Sequence, residues 1–204
     1  MIGGGDGGTV RECLRHPTVE AVDLVEIDGL VIEACREHLP LTAACLDDPR
    51  VNVSVADGVE YVAATDRRYD VVLVDSTDPV GPAQPLFGPA FYASVDRVLG
   101  DRGLVVSQCE NPWYELPTQR ALLDILRGTF AEVAVYNYHN LLYPGGLWSF
   151  SLAGKGLSLD PAQAAAPDPA RVAALGELRW WTPEIHRAAF ALPAFQRRAL
   201  GLAD

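Results

Sequence analysis

The chain has 204 residues, 49% of them hydrophobic, so it can bury a sizeable core and most simply forms one domain with a short appendage. Its formal net charge of -11 disfavours nucleic acids and anionic membrane surfaces as partners, and it suits a cationic small substrate. No apolar run approaches the roughly 20 residues of a membrane span, so a cytoplasmic protein is expected.

The first predicted feature is a glycine-rich loop over residues 3–8, in "MIGGGDGGTV". Glycine lets backbone amides approach a ligand closely and tolerates positive φ. Such a loop normally follows a buried strand, yet only Met1 and Ile2 precede it here. We therefore expect most of the strand that should precede this loop to be missing.

Apolar segments rich in β-branched residues follow at intervals and are typical of strands. They cover residues 21–28, 51–55, 69–76, 103–108, 131–138 and 146–154. Segments with helical spacing lie between them, at 29–39, 89–100 and 117–130. This alternation predicts an α/β fold, a doubly wound and mostly parallel sheet with helices on both faces.

The composition of the chain also predicts how it is divided into a domain, a linker and an extension. We predict a nucleoside-binding catalytic domain at 1–154, a Pro/Ala linker at 155–170 and a helical extension at 171–204 that packs on the same domain. The four cysteines are scattered without a metal-ligand spacing, so neither a metal nor a disulfide is expected.

Carboxylates lie at five successive strand ends, which form the ligand-binding edge of such a sheet. They are Asp6, Glu26, Asp57, the pair Asp75 and Asp78, and Glu110. Glu26 lies 20 residues after Asp6 at a strand end, where an acid can bind both hydroxyls of a ribose. Clustered carboxylates repel one another unless a cation lies among them, so a nucleoside and a cationic group are predicted together.

Asp6 restricts which nucleoside the loop can bind. Its charge disfavours the pyrophosphate of a dinucleotide and the carboxylate of S-adenosylmethionine, and it favours an ammonium group. A sulfonium nucleoside whose tail is only cationic fits best. For Asp75 and Asp78 in "DSTDPVGP", capping of a turn or helix before Pro79 is an alternative explanation.

The chain resembles the spermidine synthases, the polyamine aminopropyltransferases, over nearly its whole length. The resemblance rests on "GGGDGGTVRECLRHPTVEAVDLVEID", "DPRVNVSVADG", "YDVVLVDSTDPVGPAQPLF", "YPGGLW" and "WWTPEIHRAAFALP". It implies a Rossmann-like sheet of the S-adenosylmethionine-dependent methyltransferase type. In that family a small amino-terminal β-domain precedes the sheet, whose first strand is central, and we expect that domain and most of that central strand to be absent from the sequence given.

The resemblance also implies a reaction. An aminopropyl group passes from decarboxylated S-adenosylmethionine, a co-substrate rather than a prosthetic group, to putrescine or a similar amine, giving spermidine and methylthioadenosine. The nucleoside-binding residues would be Gly3, Gly5, Glu26, Asp57, Gly58 and Pro82. The amine-binding residues would be Asp6, Asp75, Asp78, Glu110 and Tyr143, with Asp75 as the catalytic proton acceptor and no metal.

Several alternatives stay open. Tyr143 could instead be a packed core residue, and the altered segment "LLYPGG" at 141–146 makes the expected channel wall more apolar. The chain could be an amine N-methyltransferase that uses S-adenosylmethionine, or a non-catalytic subunit completed by another chain. A homodimer or homotetramer without nucleic-acid or membrane partners is expected.

Overall fold

A computed structural model describes residues 1–160 and 167–202. Its centre is a seven-stranded sheet in the order β3-β2-β1-β4-β5-β7-β6. The strands are β1 Ile2–Gly3, β2 Val22–Glu26, β3 Val51–Val55, β4 Tyr69–Asp75, β5 Leu99–Gln108, β6 Glu132–His139 and β7 Leu147–Gly154. The pairs among β1 to β5 are parallel, which confirms the doubly wound, mostly parallel α/β fold.

Helices alternate with these strands. The α-helices are α1 Gly8–Leu14, α2 Gly29–His38, α3 Pro40–Ala43, α4 Gly58–Ala64, α5 Pro89–Val98, α6 Leu116–Thr129, α7 Pro169–Ala174, α8 Pro183–Ala189 and α9 Ala194–Ala199. Two 3₁₀ helices cover Ala44–Asp47 and Gly81–Phe87. Within the described ranges, no helix has both the length and the apolar character that crossing a membrane requires.

Strand β1 corrects the expectation that the central strand is missing. Ile2 pairs with Val25 of β2 on one side and with Val74 of β4 on the other, and Gly3 pairs with Asp75. Two residues are therefore enough to join the neighbouring strands at their carboxyl ends. This is the edge at which the glycine loop begins.

The core has two parts, one on each face of the sheet. Leu24 and Val25 are adjacent on β2, so their side chains point to opposite faces. Leu24 belongs to a small cluster with Val10, Ile32 and Leu46. Val25 belongs to a large cluster whose members include residues of α4, α5 and α6. Helices thus cover both faces, as the alternating pattern predicts.

Strand β7 is antiparallel to both of its neighbours, β5 and β6. Gln108 at the end of β5 pairs with Phe150, and Tyr138 near the end of β6 pairs with Trp148. The start of β7 and the end of β6 therefore lie at the same sheet edge as the ends of β4 and β5.

The carboxyl-terminal helices α7, α8 and α9 are short. Leu192 and Leu200 are buried in the larger core cluster, so this segment contributes to the core. The predicted linker lies partly outside the described residues, since 161–166 are not among them. The division of the chain after residues 154 and 170 stays a prediction.

Candidate active site

The glycine loop turns sharply between β1 and α1. Gly3, Gly4 and Gly7 have φ values of 74°, 76° and 79°, which glycine adopts without strain. A Cβ atom on Gly3 would lie 2.1 Å from the carbonyl oxygen of Asp75. The loop therefore packs directly against the end of β4, and any side chain at position 3 would separate the two.

Glu26 lies under this loop at the end of β2. Its Oε2 accepts a hydrogen bond from the Gly5 amide at 3.1 Å, and its Oε1 accepts one from the Asp28 amide at 3.1 Å. The side chain is buried, at 8% exposure. Both carboxylate oxygens are thus oriented by backbone donors, and each keeps acceptor capacity for a hydroxyl group.

Asp57 and Gly58 lie at the start of α4. Asp57 caps this helix, because its Oδ1 accepts from the Val59 amide at 2.7 Å. A Cβ atom on Gly58 would lie 2.4 Å from Cγ2 of Ile2, so α4 approaches β1 closely. Pro82 lies in the 3₁₀ helix that follows the Asp75–Asp78 segment, and it is exposed.

Asp75 is the last residue of β4 and faces the open edge of the sheet. Its Oδ2 accepts a hydrogen bond from the Thr9 hydroxyl at 3.3 Å. Desolvation by the surrounding protein raises the pKa of its carboxyl group; the Thr9 hydrogen bond opposes this rise, and the charges of Asp6 and Glu26 add to it. A carboxyl group with a raised pKa binds a proton more readily than an ordinary aspartate.

A cleft of about 410 Å³ opens beside Asp75. It is lined by Asp75, Ser76, Thr77, Asp78, Val80, Gln108, Tyr138, Tyr143, Trp148 and Phe150. Three of the predicted amine-binding residues, Asp75, Asp78 and Tyr143, therefore share one cleft. Asp6 lies in the adjoining glycine loop, where its Oδ1 accepts from the Gly8 amide at 3.3 Å.

Aromatic rings form one wall of this cleft. Tyr143 packs on Trp148 with ring centroids 4.5 Å apart, and Tyr138 stacks on Phe150 at 5.0 Å. Tyr143 is 52% exposed, so it is a surface residue of the cleft rather than a core residue. The loop after it is tied down by Asn111, whose Nδ2 donates to the Pro144 carbonyl at 2.6 Å.

Sequence reasoning missed Tyr138, Trp148 and Phe150. The signal was present in "YNYH" and "LWSF", where aromatic residues recur at every second position and so share one face of a strand. The sequence does not reveal that β6 and β7 pair in antiparallel fashion, and this pairing brings both segments to the ligand-binding edge.

Glu110 occupies a different position from the other predicted amine ligands. It is only 3% exposed, and its Oε1 accepts a hydrogen bond from Nε2 of Gln108 at 2.8 Å. Burial raises the pKa of its carboxyl group, and the Asp78 charge adds to the effect. Glu110 thus lies behind Gln108, which itself lines the cleft.

Leu141 and Leu142 do not form the expected apolar channel wall. They are 100% and 88% exposed, and neither is among the residues that line the cleft. Asn140 supports the turn at this point, because its Oδ1 accepts a hydrogen bond from the Leu142 amide at 2.7 Å. Among the described residues, no group of three His, Cys, Asp or Glu side chains is arranged to hold a metal ion.

A family model described as the spermine/spermidine synthase domain matches residues 1–161, which is more than half of the chain. The chain belongs to the spermine/spermidine synthase family. Among curated relatives of this family member, the polyamine aminopropyltransferase of Bacillus mycoides is 41% identical over 195 residues. That of Desulforudis audaxviator is 44% identical over 195 residues. Each alignment covers 96% of this chain and 69% of the relative.

Solved structures agree with this family membership. A spermidine synthase in complex with the transition-state analogue AdoDATO superposes with a TM-score of 0.91 at 39% identity, covering 99% of this chain and 68% of that one. The human methyltransferase-like protein 13 in complex with SAH has a TM-score of 0.60 at 20% identity, covering 89% of this chain and 82% of that one. The second match shows the fold alone, and it confirms the predicted methyltransferase-type sheet.

Proposed function

We propose that this family member is a polyamine aminopropyltransferase that transfers an aminopropyl group from decarboxylated S-adenosylmethionine to putrescine or a similar amine. The products are spermidine and methylthioadenosine. The position of Asp75 carries this proposal. Its carboxyl group lies between the glycine loop, where the nucleoside binds, and the cleft beside it, where the amine binds.

The nucleoside half of the site is built from backbone and carboxylate. Glu26 accepts the ribose hydroxyls, since its two oxygens are already oriented by the Gly5 and Asp28 amides. Gly3 and Gly5 let the loop approach the ligand. Asp57, Gly58 and Pro82 border the adenine, with Asp57 using the oxygen that is not committed to capping α4.

The charge of the loop favours the decarboxylated nucleoside. Asp6 lies where the amino-acid tail of S-adenosylmethionine would end, and a carboxylate on that tail would meet it at close range. Like charges disfavour such a pair, whereas the ammonium group of the decarboxylated tail is attracted. Asp6 therefore supports aminopropyl transfer over methyl transfer.

The amine half of the site is the cleft. Asp75 and Asp78 attract the ammonium groups of a diamine, and the rings of Tyr143 and Trp148 enclose its methylene chain. Glu110 acts on this half through Gln108 rather than by direct contact. The net charge of -11 supports a cationic substrate as well.

The chemistry requires a proton transfer and a displacement. A free alkylamine has a pKa near 10.4 and arrives protonated, so Asp75 first accepts one proton from it. The amine nitrogen then attacks the aminopropyl carbon bonded to sulfur. A C–N bond forms, the C–S bond breaks, and its electron pair stays on sulfur, which leaves as a neutral thioether.

Because the sulfonium is a good leaving group, the protein mainly has to align the two reactants and remove that proton. The raised pKa of the Asp75 carboxyl suits this step, since a more basic carboxylate accepts the amine proton more readily. The proton passes to solvent afterwards, because Asp75 lies at the open cleft.

Calorimetry with two nucleosides tests the assignment against its nearest competitor, amine N-methylation. Decarboxylated S-adenosylmethionine should bind at least tenfold more tightly than S-adenosylmethionine, and Asp6→Asn should reduce this preference. Tighter binding of the carboxylated nucleoside would contradict aminopropyl transfer.

The oligomeric state of the protein, a homodimer or a homotetramer, stays a prediction.

A further inference from the structure

The backbone of Glu110 is unusual. In the described part of the chain it is the one residue other than glycine with a positive φ, 62°. A residue with a Cβ atom is strained in this left-handed region, so the surrounding contacts must hold it there. Strain of this kind concentrates at functional sites, and Glu110 follows the end of β5 directly beside the amine cleft.

Two donors hold the Glu110 carbonyl oxygen. One is the Ser149 amide at 3.0 Å, which belongs to β7. The other is Nε2 of Gln119 at 3.0 Å, from the buried face of α6. Gln119 is fully buried, and its Nε2 also donates to Oγ of Ser149 at 2.9 Å. A buried polar side chain thus bonds directly to the strained peptide.

The contacts continue from Glu110 into the cleft. Its amide donates to Oε1 of Gln108 at 3.0 Å, and its carboxyl accepts from Nε2 of Gln108 at 2.8 Å. Nε2 of Gln108 also donates to the Thr77 carbonyl at 3.4 Å. Thr77 lies between Asp75 and Asp78, so hydrogen bonds run from α6 to the segment that carries both amine-binding carboxylates.

We propose that Gln119 is a positioning residue for the amine site. It fixes the left-handed backbone at Glu110, and Glu110 and Gln108 in turn fix the Thr77 carbonyl between the two aspartates. Gln119 touches neither substrate and acts only through these contacts. The inference rests on the proposed function, because that function makes Asp75 and Asp78 the amine ligands.

Gln196 on α9 offers a matched control. It is also fully buried, and its Nε2 donates to Oε1 of Gln119 at 3.1 Å and to Oγ of Ser149 at 3.2 Å. Its Oε1 accepts from Nδ2 of Asn137 at 2.7 Å. None of the hydrogen bonds described for Gln196 reaches Glu110. Replacing it removes a similar buried amide without removing a donor to the strained peptide.

The test compares Gln119→Met with Gln196→Met. Gln119→Met should raise the KM for putrescine about tenfold and leave the KM for decarboxylated S-adenosylmethionine within twofold. Gln196→Met should leave both KM values within about twofold, although both variants lower the thermal midpoint. No rise in the putrescine KM for Gln119→Met, or the same rise in both variants, would overturn the inference.

Hydrogen–deuterium exchange of residues 75–80 gives a readout that does not depend on turnover. Exchange in this segment should be faster in Gln119→Met than in Gln196→Met, and equal exchange would also contradict the inference. A wild-type chain that releases no methylthioadenosine would refute the proposed function alone. The exchange experiment would then still decide whether Gln119 positions this segment.

Discussion

The Thr9 hydroxyl donates a hydrogen bond to Oδ2 of Asp75 across 3.3 Å, although 66 residues separate them in the chain. The bond links the first turn of α1 to the end of β4. It leaves Oδ1 of Asp75 available to the amine, and it favours the ionised carboxylate, which is the form that accepts a proton.

Replacing Thr9 with valine removes this hydrogen bond at nearly constant volume. Desolvation by the surrounding protein and the charges of Asp6 and Glu26 already raise the pKa of Asp75, and losing the Thr9 donor should raise it further. Asp75 also interacts with Tyr138 across the cleft. When kcat/KM is measured against pH, the acid limb of the profile should therefore move to higher pH in Thr9→Val.

On that acid limb, kcat/KM should fall about two- to tenfold, the effect of one hydrogen bond of about 0.5 to 1.5 kcal/mol. Thr9→Ser, which keeps the hydroxyl, should restore the wild-type profile. A uniform loss of activity at all pH values in both variants would argue for a purely structural role of Thr9.

Asp75→Asn should abolish most turnover and stabilise the fold at neutral pH. Loss of the proton acceptor should lower kcat by about 10² to 10⁴. The raised pKa means that folded Asp75 binds a proton more tightly than unfolded Asp75, so ionisation costs stability above the folded pKa. The neutral asparagine removes this cost.

Thermal midpoints measured against pH test the sign. The variant should melt at a higher temperature than the wild type at neutral pH. The difference should shrink as the pH falls and vanish below the ordinary aspartate value of 3.8, where both folded and unfolded Asp75 are protonated. A difference independent of pH would show that charge is not its cause.

Gly5→Ala should weaken nucleoside binding selectively. A Cβ atom on Gly5 would lie 2.9 Å from Cγ of Glu26 and 3.0 Å from its Oε2, so the carboxylate must move. The KM for the nucleoside should rise about tenfold or more, with the amine KM within twofold. Gly128→Ala is the control, since a Cβ atom there would have no neighbour within 4 Å. Equal effects of the two substitutions would contradict the role of Glu26.

Tyr143→Ala should affect the amine rather than the nucleoside. It removes a ring that packs on Trp148 in the cleft, and the putrescine KM should rise about tenfold, a loss of about 1.4 kcal/mol. Leu141→Ala is the matched control from the same loop, because Leu141 is fully exposed and outside the cleft. Amine KM values that change with Leu141 and not with Tyr143 would place the channel wall elsewhere.

Much of the fold could be predicted from the sequence because apolar periodicity records local burial. The segment 51–55 coincides with β3, and the predicted helix 29–39 ends within one residue of α2. Strand β1 could not be recognised, since two residues carry no periodicity. Its pairing partners, Val25 and Val74, lie far away in the chain.

Part of the candidate site could likewise be predicted from the sequence, and part could not. Acidic residues at the ends of parallel strands could be named from the sequence, because parallel topology brings those ends to one edge. The aromatic wall could not, since Trp148 reaches the site through the antiparallel pairing of β6 and β7. The burial of Glu110 behind Gln108 could not be predicted either, because it depends on the positive φ of Glu110, which the local sequence does not indicate.

Product analysis after incubation with decarboxylated S-adenosylmethionine and putrescine tests the central claim most directly. We expect methylthioadenosine and spermidine in equal amounts, with formation of both lost in Asp75→Asn. Absence of both products, or a methylated amine formed from S-adenosylmethionine instead, would contradict the assignment of this chain as an aminopropyltransferase.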